Sequence, residues 1–295
     1  MSTLRRARLE QRAVLALTGE DRRDFLQALI TNDVRRLAPE RAIWAALLTP
    51  QGKYLFDFFL LDTGADGLLL ETGAERASAL LARLGLYRLR ARVEIIDVRD
   101  RYRVEVVFGE GAAAAFGLPP EAGAARPLGR GMLFVDPRHP DLGLRALLPR
   151  EEGGAPLADR TTEADPGAFD ALRLRLGIPE GEQDLVPERT LPLEANFAEL
   201  GGVDFDKGCF IGQEVTARMK HRGRLRKRLL PVEIRGAAAP GATVLAADGR
   251  EAGELRSVAG GRGLALLRLD RLEGPLRAGE AAVLPHWPAW LEKKE

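Results

Sequence analysis

The chain has 295 residues, 45% of them apolar, and its 44 basic and 43 acidic side chains leave a net charge of +1. This length predicts two or three packed units, and the balanced charge excludes a global attraction to nucleic acid, so any polyanion site must come from local clustering. A single cysteine excludes an intramolecular disulfide, and it excludes a thiolate metal site built by this chain alone, which takes about four ligands.

The hydropathy and the start of the chain predict its compartment. No segment reaches the ~20 consecutive apolar residues of a membrane span, and the arginine-rich first residues lack the apolar core of a secretory signal. We therefore expect a reducing setting and no membrane partner. This setting is the cytoplasm for a bacterial protein and the mitochondrial matrix for a eukaryotic one.

In the first hundred or so residues, strands alternate with single helices. Strands are predicted in RAVLALTG and GLLLET, and helices in GEDRRDFLQALI and AERASALLARL. WAALLT and YLFDFFLL are joined by a PQGK turn and predict a hairpin. RARVEIID and RYRVEVVFG alternate polar and apolar residues, as half-buried strands do. The mixture predicts an α+β fold.

The later part of the chain changes in character. Loops rich in Gly, Pro and Ala separate strands predicted in GMLFVD and LGLRALLP. A helix is predicted to begin at Asp165-Pro166, because proline favours the first helical position, and to end at Gly177. From about Leu229 onward, short strands are separated by glycine-containing turns without helical periodicity, which predicts a small β-barrel.

The only cysteine, Cys209, lies in the segment DFDKGCFIGQEVTARMKHRGRLRKR. Thiolate is the reactive form of cysteine, and a neighbouring cation or a helix N-terminus lowers the pKa of a thiol. Lys207 supplies a cation, and a helix predicted in GQEVTARM would begin just after Cys209. Gly208 and Gly212 would leave the sulfur accessible. From these residues alone, a reactive thiol and an inert buried cysteine remain equal alternatives.

A basic run follows the cysteine, with seven Lys or Arg among the eleven residues 218–228. Six of them alternate along the sequence: Arg218, Lys220, Arg222, Arg224, Arg226 and Arg228. If the run is extended, these side chains line one face that could bind carboxylate or phosphate groups, or form a solvated edge strand. Nucleic-acid binding ranks lower, because the run contains no aromatic residue for stacking.

The segment KGCFIGQE resembles the K-G-C-[aromatic]-x-G-Q-E signature of the YgfZ family. Members of this family are folate-binding factors of iron–sulfur protein maturation and belong to the GcvT aminomethyltransferase superfamily. Other family blocks are similar to LTGEDRRDFLQALITNDVRRL, LLTPQGKYLFDFFLL and LRLRLGIPEGEQDLVPERTLPLEANF, and the C-terminal strands resemble the family's final barrel. The resemblance covers most of the chain and is weakest between Gly109 and Arg160.

This resemblance implies a ring-like, three-domain α+β fold. Two mixed α/β subdomains, interleaved in sequence, would form a folate-binding region at 1–228, with the second subdomain at roughly 90–165. The β-barrel domain would occupy 229–295.

The resemblance also implies roles for individual residues. Cys209 and Lys207 take the places of the family's key cysteine and lysine, and Cys209 would be a metal ligand only when shared with a partner. The residues expected at the folate are Phe169, Gln213, Glu214 and Arg218. For Phe169, packing in the core is the alternative interpretation.

The implied cofactor is tetrahydrofolate or a derivative, and the implied partner is an A-type iron–sulfur carrier protein that shares a transient cluster with Cys209. The first function is therefore a non-enzymatic accessory factor for assembly or repair of iron–sulfur proteins, with indirect effects on tRNA modification. The second is an aminomethyltransferase-like one-carbon enzyme. Against it, Arg175 stands where such enzymes carry a pterin-binding glutamate, and no aspartate follows GLLLET. The third is an RNA-binding module that uses 218–228.

Overall fold

The computed structural model describes residues 3–223 and 225–291, without the side chains of Asp66, Glu182 and Arg222. Two compact units are present, and each is assembled from three segments of the chain. The first unit contains Met1–Leu48, Leu55–Phe169 and Leu200–Ile211, and the second contains Thr49–Tyr54, Asp170–Glu199 and Gly212–Glu295.

The first part of the chain supplies the strands of two sheets and four short or medium helices. The strands are β1 (Arg5–Arg8), β2 (Arg12–Thr18), β3 (Ile43–Leu48), β4 (Tyr54–Asp62), β5 (Leu68–Gly73), β6 (Glu94–Asp97), β7 (Tyr102–Phe108), β8 (Ala125–Leu128), β9 (Gly131–Val135), β10 (Leu144–Pro149) and β11 (Thr162–Glu163). The helices are α1 (Arg22–Gln27), α2 (Ala77–Arg88), α3 (Ala112–Ala115) and α4 (Ala155–Ala158).

One sheet has the strand order β3-β4-β5-β2-β6, and its pairs β4–β5, β5–β2 and β2–β6 are antiparallel. Alternate residues of its strands form an apolar face, on which helices α1 and α2 pack. Leu17 and Leu70 from the strands meet Leu26 of α1, together with Leu80 and Leu84 of α2, in one buried cluster. The four-residue spacing of the two α2 leucines puts them on one face of that helix.

The other sheet has the order β11-β1-β7-β10-β9-β8. Its neighbours pair antiparallel except β1 and β11, which are parallel. The helices α3 and α4 lie against its outer apolar face, where Leu133 and Leu144 pack with Phe116 and Leu157.

Charged side chains connect the two sheets of the first unit. Glu71 Oε1 accepts hydrogen bonds from Arg12 Nε at 2.8 Å and from Arg145 Nη1 at 2.6 Å. Asp136 Oδ2 accepts from Arg145 Nε at 2.9 Å and from Arg138 Nη2 at 2.7 Å. All five side chains are buried. Each buried charge therefore has an opposite charge beside it, as burial in a low dielectric requires.

The second unit contains a closed antiparallel barrel in the order β12-β15-β14-β13-β16-β17. Its strands are β12 (Lys227–Arg235), β13 (Thr243–Leu245), β14 (Glu251–Ala259), β15 (Arg262–Arg268), β16 (Leu276–Ala278) and β17 (Ala281–Pro285). Pairing of β12 with β17 closes the barrel around an apolar core that includes Leu230, Leu255 and Leu267. The remaining helices are α5 (Pro166–Leu176), α6 (Gly181–Asp184) and α7 (Gln213–Arg222).

The α+β fold and the C-terminal β-barrel are confirmed, and so are the hairpin of β3 and β4 and the helix from Pro166 to Leu176. The division into interleaved subdomains with a boundary at residue 228 stays a prediction. Among the described helices, none is both long and apolar enough to span a membrane.

The helix predicted in GQEVTARM is confirmed as the first part of α7, so the basic run is not extended over residues 218–222. Residues 218–222 belong to α7, so Arg218 and Lys220 do not alternate along a strand. The helix ends at Gly223, whose φ of 72° is the left-handed conformation typical of a residue that terminates a helix. Arg224 lies outside the described residues, and Arg228 is buried in β12, where its Nη1 donates to Asn196 Oδ1 at 2.8 Å.

Candidate functional site

Cys209 lies in a loop without helix or strand at residues 202–210. Cys209 and Gly208 are exposed, whereas Lys207 and Phe210 on either side are only 5% and 7% exposed. The loop is therefore held by two buried side chains and presents the thiol to solvent between them. Of the two alternatives that the sequence left equal, the inert buried cysteine is wrong.

Lys207 fixes the loop to the end of α1. Its Nζ donates hydrogen bonds to the carbonyl oxygens of Gln27 and Ile30, both at 2.6 Å. Gln27 returns the contact, because its Nε2 donates to the carbonyl oxygen of Lys207 at 3.1 Å. The ammonium also lies 5.1 Å from the centroid of the Phe210 ring, a cation–π distance. Lys207 and Gln27 thus form a reciprocal clamp across 180 positions of the chain.

Burial lowers the pKa of the Lys207 ammonium from 10.5 to about 8, and the carboxylates of Asp33 and Asp204 offset part of this shift. The ammonium is therefore mostly protonated near neutral pH. Both of its hydrogen bonds go to carbonyl oxygens and, among the described residues, none goes to Cys209. Lys207 therefore anchors the loop through its ammonium group, and its role as a cation beside the thiolate stays a prediction.

The segment Ile30–Val34 anchors the rest of the loop. Thr31 Oγ1 donates to the carbonyl of Gly202 at 2.6 Å, and Asn32 Nδ2 donates to the carbonyl of Gly201 at 2.7 Å. The amide of Asp204 donates to the carbonyl of Thr31 at 2.9 Å. No role was predicted for these residues or for Gln27. The available signal was TNDV, residues 31–34, which lies in one of the segments that resemble the family.

Gly208 and Gly212 both adopt positive φ, at 93° and 80°. A Cβ on Gly208 would meet no atom within 4 Å, whereas a Cβ on Gly212 would lie 2.5 Å from the carbonyl oxygen of Thr49 and 2.9 Å from Cα of Gly52. Gly212 is also the residue that precedes α7. It is therefore required both for its backbone conformation and for close contact with the hairpin turn at residues 49–54.

Of the residues expected at a folate, Phe169 is buried, whereas Gln213, Glu214 and Arg218 lie on α7 and their role stays a prediction. The Phe169 ring is only 3% exposed, and it lies 5.7 Å from the Phe108 ring and 5.8 Å from the Arg145 guanidinium. Core packing, the alternative interpretation, therefore describes Phe169. On α7, Gln213 is half-buried, and exposed Glu214 pairs with Arg218 at 2.6 Å.

Arg175 is exposed at the end of α5 and lines a groove of about 520 Å³ in the second unit. The groove is also lined by Arg262, Glu233 and His286. A guanidinium cannot accept the N–H donors of a pterin, whereas the carboxylate of Glu233 can accept them.

No group of three or more His, Cys, Asp or Glu side chains within 3–223 and 225–291 is arranged to hold a metal ion. What the site offers is one exposed sulfur on an anchored loop. Such a sulfur can act as a single ligand or as a nucleophile toward a second molecule.

Sequence comparison adds an independent observation. A model of the CAF17 C-terminal β-barrel domain matches residues 226–293, which include all strands of the barrel. The mitochondrial iron–sulfur cluster assembly factor IBA57 of Homo sapiens is 38% identical over 307 residues, which cover 95% of this chain and 84% of the human protein. The protein of the same name from Mus musculus is 35% identical over 312 residues, with the same coverage. The chain belongs to the IBA57 family of iron–sulfur cluster assembly factors.

A solved structure confirms the predicted fold of this IBA57-family chain. The glycine cleavage system aminomethyltransferase T from Bartonella henselae superposes with a TM-score of 0.79, covering 98% of this chain and 87% of that one, at 18% identity. Identity this low shows the fold alone. Iron–sulfur assembly as the family's role and the aminomethyltransferase-like fold are thus confirmed, and the narrower YgfZ assignment stays a prediction.

Proposed function

We propose that this IBA57-family chain assists iron–sulfur cluster assembly by contributing Cys209 as one thiolate ligand to a cluster held by an A-type carrier protein. The observation that supports this proposal is the exposure of Cys209 between two buried anchors, Lys207 and Phe210. The names of the human and mouse relatives place them in cluster assembly in mitochondria.

The chemistry follows from the number of ligands. A cluster with cysteine ligation takes four thiolates, and this chain supplies one, so the carrier supplies the others. When Cys209 binds, its sulfur loses a proton to solvent and forms a bond to the iron that lacks a carrier thiolate, and the water or small thiol that held this fourth position leaves, without a change in oxidation state. A loop that is already fixed on both sides of the sulfur loses little conformational freedom on binding, which favours the shared complex.

Folate is not needed for this proposal, and the binding of tetrahydrofolate or a derivative that the family resemblance implies stays a separate prediction. The burial of Phe169 in the core argues against a role for that ring at a pterin. The effects on tRNA modification that the resemblance implies would follow indirectly, through loss of a cluster-dependent modifying enzyme.

The test is an anaerobic titration of a cluster-loaded A-type carrier with the full chain, followed by visible absorbance and native mass spectrometry. The wild type is expected to form a complex that retains the cluster. Cys209→Ala, and wild type alkylated at its single thiol, are expected to bind at least about tenfold more weakly, because one iron ligand is lost. Asp206→Ala, an exposed change three positions away, is the matched control.

The proposal fails if Cys209→Ala retains the cluster in the complex as the wild type does and also restores cluster enzymes in a strain that lacks the protein. Unfolding of the variants is checked separately by thermal denaturation. The side chain of Cys209 is exposed, so we expect its removal to leave the melting temperature unchanged.

A further inference from the structure

The end of helix α2 exposes two leucines. Leu86 is 69% exposed and Leu89 is 89% exposed. Among the described residues, the exposed large apolar side chains are these two and that of Leu245, at 39%. Two of the three thus lie within four positions of each other. Soluble surfaces tolerate single exposed leucines, but adjacent ones indicate a contact surface.

The backbone at Leu89 is also unusual. Leu89 follows α2 with φ of 41° and ψ of −105°, a left-handed conformation that a residue with a Cβ rarely adopts. Glycine is the common residue at such a helix end. A leucine that is both strained and almost fully exposed contributes nothing to the core of its own unit. Its presence is explained if it contacts something outside the chain.

The same segment is strongly basic. Between Ala77 and Val93 the sequence contains four arginines and neither aspartate nor glutamate. Arg92 pairs with Glu20 and Asp21. The side chains of the other three, Arg83, Arg88 and Arg90, have no hydrogen bond or ion pair with any described residue. Residues 83–90, which we call the α2 tip, therefore combine two exposed leucines with three uncompensated positive charges.

We propose that the α2 tip docks on an anionic phospholipid bilayer. The leucines would enter the boundary between headgroups and acyl chains, while the arginine stems follow them and the guanidiniums bind lipid phosphates. Anionic lipid attracts basic residues near its surface, and this attraction adds to the burial of apolar side chains. The expectation of no membrane partner was based on the lack of a spanning segment, which peripheral docking does not require.

Two other occupants fit the α2 tip less well. A second copy of the chain would bring its arginines against the same arginines, and like charges repel. A stable protein–protein interface buries roughly 1,200 Å² or more, and two leucine side chains supply only a small part of its apolar centre. A bilayer needs no matching pocket, so a small apolar projection surrounded by positive charge is sufficient for it.

The proposal is independent of the thiol chemistry of Cys209 and is tested without a cluster. Full-length protein is sedimented with vesicles of phosphatidylcholine, alone or mixed with an equal amount of phosphatidylglycerol. Wild type is expected to sediment with the anionic vesicles only, and progressively less as salt screens the charges. Arg88→Gln/Arg90→Gln and, separately, Leu86→Gln/Leu89→Gln are expected to lower the partition coefficient roughly tenfold or more.

The matched control, Arg235→Gln/Arg277→Gln, removes two positive charges from exposed positions of the barrel and is expected to sediment like the wild type. In Leu89→Trp, anionic vesicles are expected to shift the added tryptophan emission to the blue, because the ring leaves water. Three results would overturn the proposal: no sedimentation of wild type with anionic vesicles at low salt, equal sedimentation of all variants, or equal binding of wild type to soluble polyglutamate, which would indicate an acidic protein partner instead.

Discussion

Lys207 and Cys209 are separated by one glycine, yet the structure buries the first and exposes the second. The sequence was sufficient to select both residues, since one cysteine in 295 residues beside a lysine and two glycines is an unusual combination. The sequence could not predict which groups the ammonium of Lys207 would contact. The acceptors of Lys207 are backbone carbonyls of Gln27 and Ile30, and a carbonyl group is present at every position of a sequence.

The lowered pKa of Lys207 predicts a change of stability with pH. Between pH 8 and 10.5, the unfolded chain holds a proton that the folded chain has released, so the free energy of unfolding should rise with pH across this window. The full rise is on the order of 3 kcal/mol. Urea denaturation of wild type and Lys207→Met at several pH values between 7 and 10.5 measures it. The unfolding free energy of wild type minus that of Lys207→Met should increase with pH. Parallel pH profiles of the two proteins would contradict the burial of the Lys207 ammonium.

At the scale of elements, the sequence predicted best where chain-breaking residues mark an element. Pro166 and Gly177 delimit α5, and the PQGK turn separates β3 from β4. The helix predicted in GQEVTARM is present as the first part of α7, but the conformation of the rest of the basic run stayed open, because a row of charged residues carries no pattern of burial that distinguishes a helix from a strand. Gly223 was the residue in the sequence that could have indicated the end of α7, because glycine readily adopts the positive φ found there.

The contact of Gly212 with the hairpin turn gives a prediction at this scale. Gly212→Ala should lower the free energy of unfolding by about 2 kcal/mol or more, since it adds a steric clash to the cost of positive φ. Gly208→Ala is the matched control, with a similar φ and no atom within 4 Å of its Cβ, and should cost only about 1 kcal/mol. Urea denaturation compares the two variants. Equal losses would show that the close approach at Gly212 has no energetic effect.

At the scale of the whole molecule, composition and pattern were sufficient to predict an α+β region followed by a barrel. They could not predict the buried charges that connect the sheets of the first unit. Arg145 and Glu71 are separated by 74 positions. Each is a charged residue in an otherwise apolar strand, and from the sequence such a residue is expected to face solvent. Only the packing of the two sheets against each other brings these side chains together.

Breaking this network should destabilise the chain strongly. Burial raises the pKa of Asp136, but Arg138 and Arg145 lower it by more, so the pKa lies below its ordinary 3.8. Asp136→Asn would leave both guanidiniums without their carboxylate and should cost roughly 3–5 kcal/mol in unfolding free energy at neutral pH. Denaturant titrations measure this loss. Asp97→Asn, which removes a partly exposed pair with Arg99, is the control and should cost less than about 1 kcal/mol.

The sign of the pH dependence follows from the lowered pKa of Asp136. The stabilisation from this carboxylate is fully present above pH 3.8 and is lost as pH falls through the folded-state pKa. Wild type should therefore lose stability on acidification below that point more steeply than Asp136→Asn does. Identical acid unfolding curves would argue against a charged Asp136 in the folded protein.

The segment that carries the thiol is the last part of the first unit to leave the ribosome. Residues 200–211 complete a unit whose other segments end at Phe169, so the sheets can form before the thiol has emerged, but the thiol cannot be fixed in place before they exist. During synthesis, Gln27, Thr31 and Asn32 are made 180, 171 and 169 positions before the residues that they hold. A truncated product that stops short of Leu200 would thus lack the only thiol of the chain, and such a product could not offer a cysteine ligand to iron in place of the finished protein.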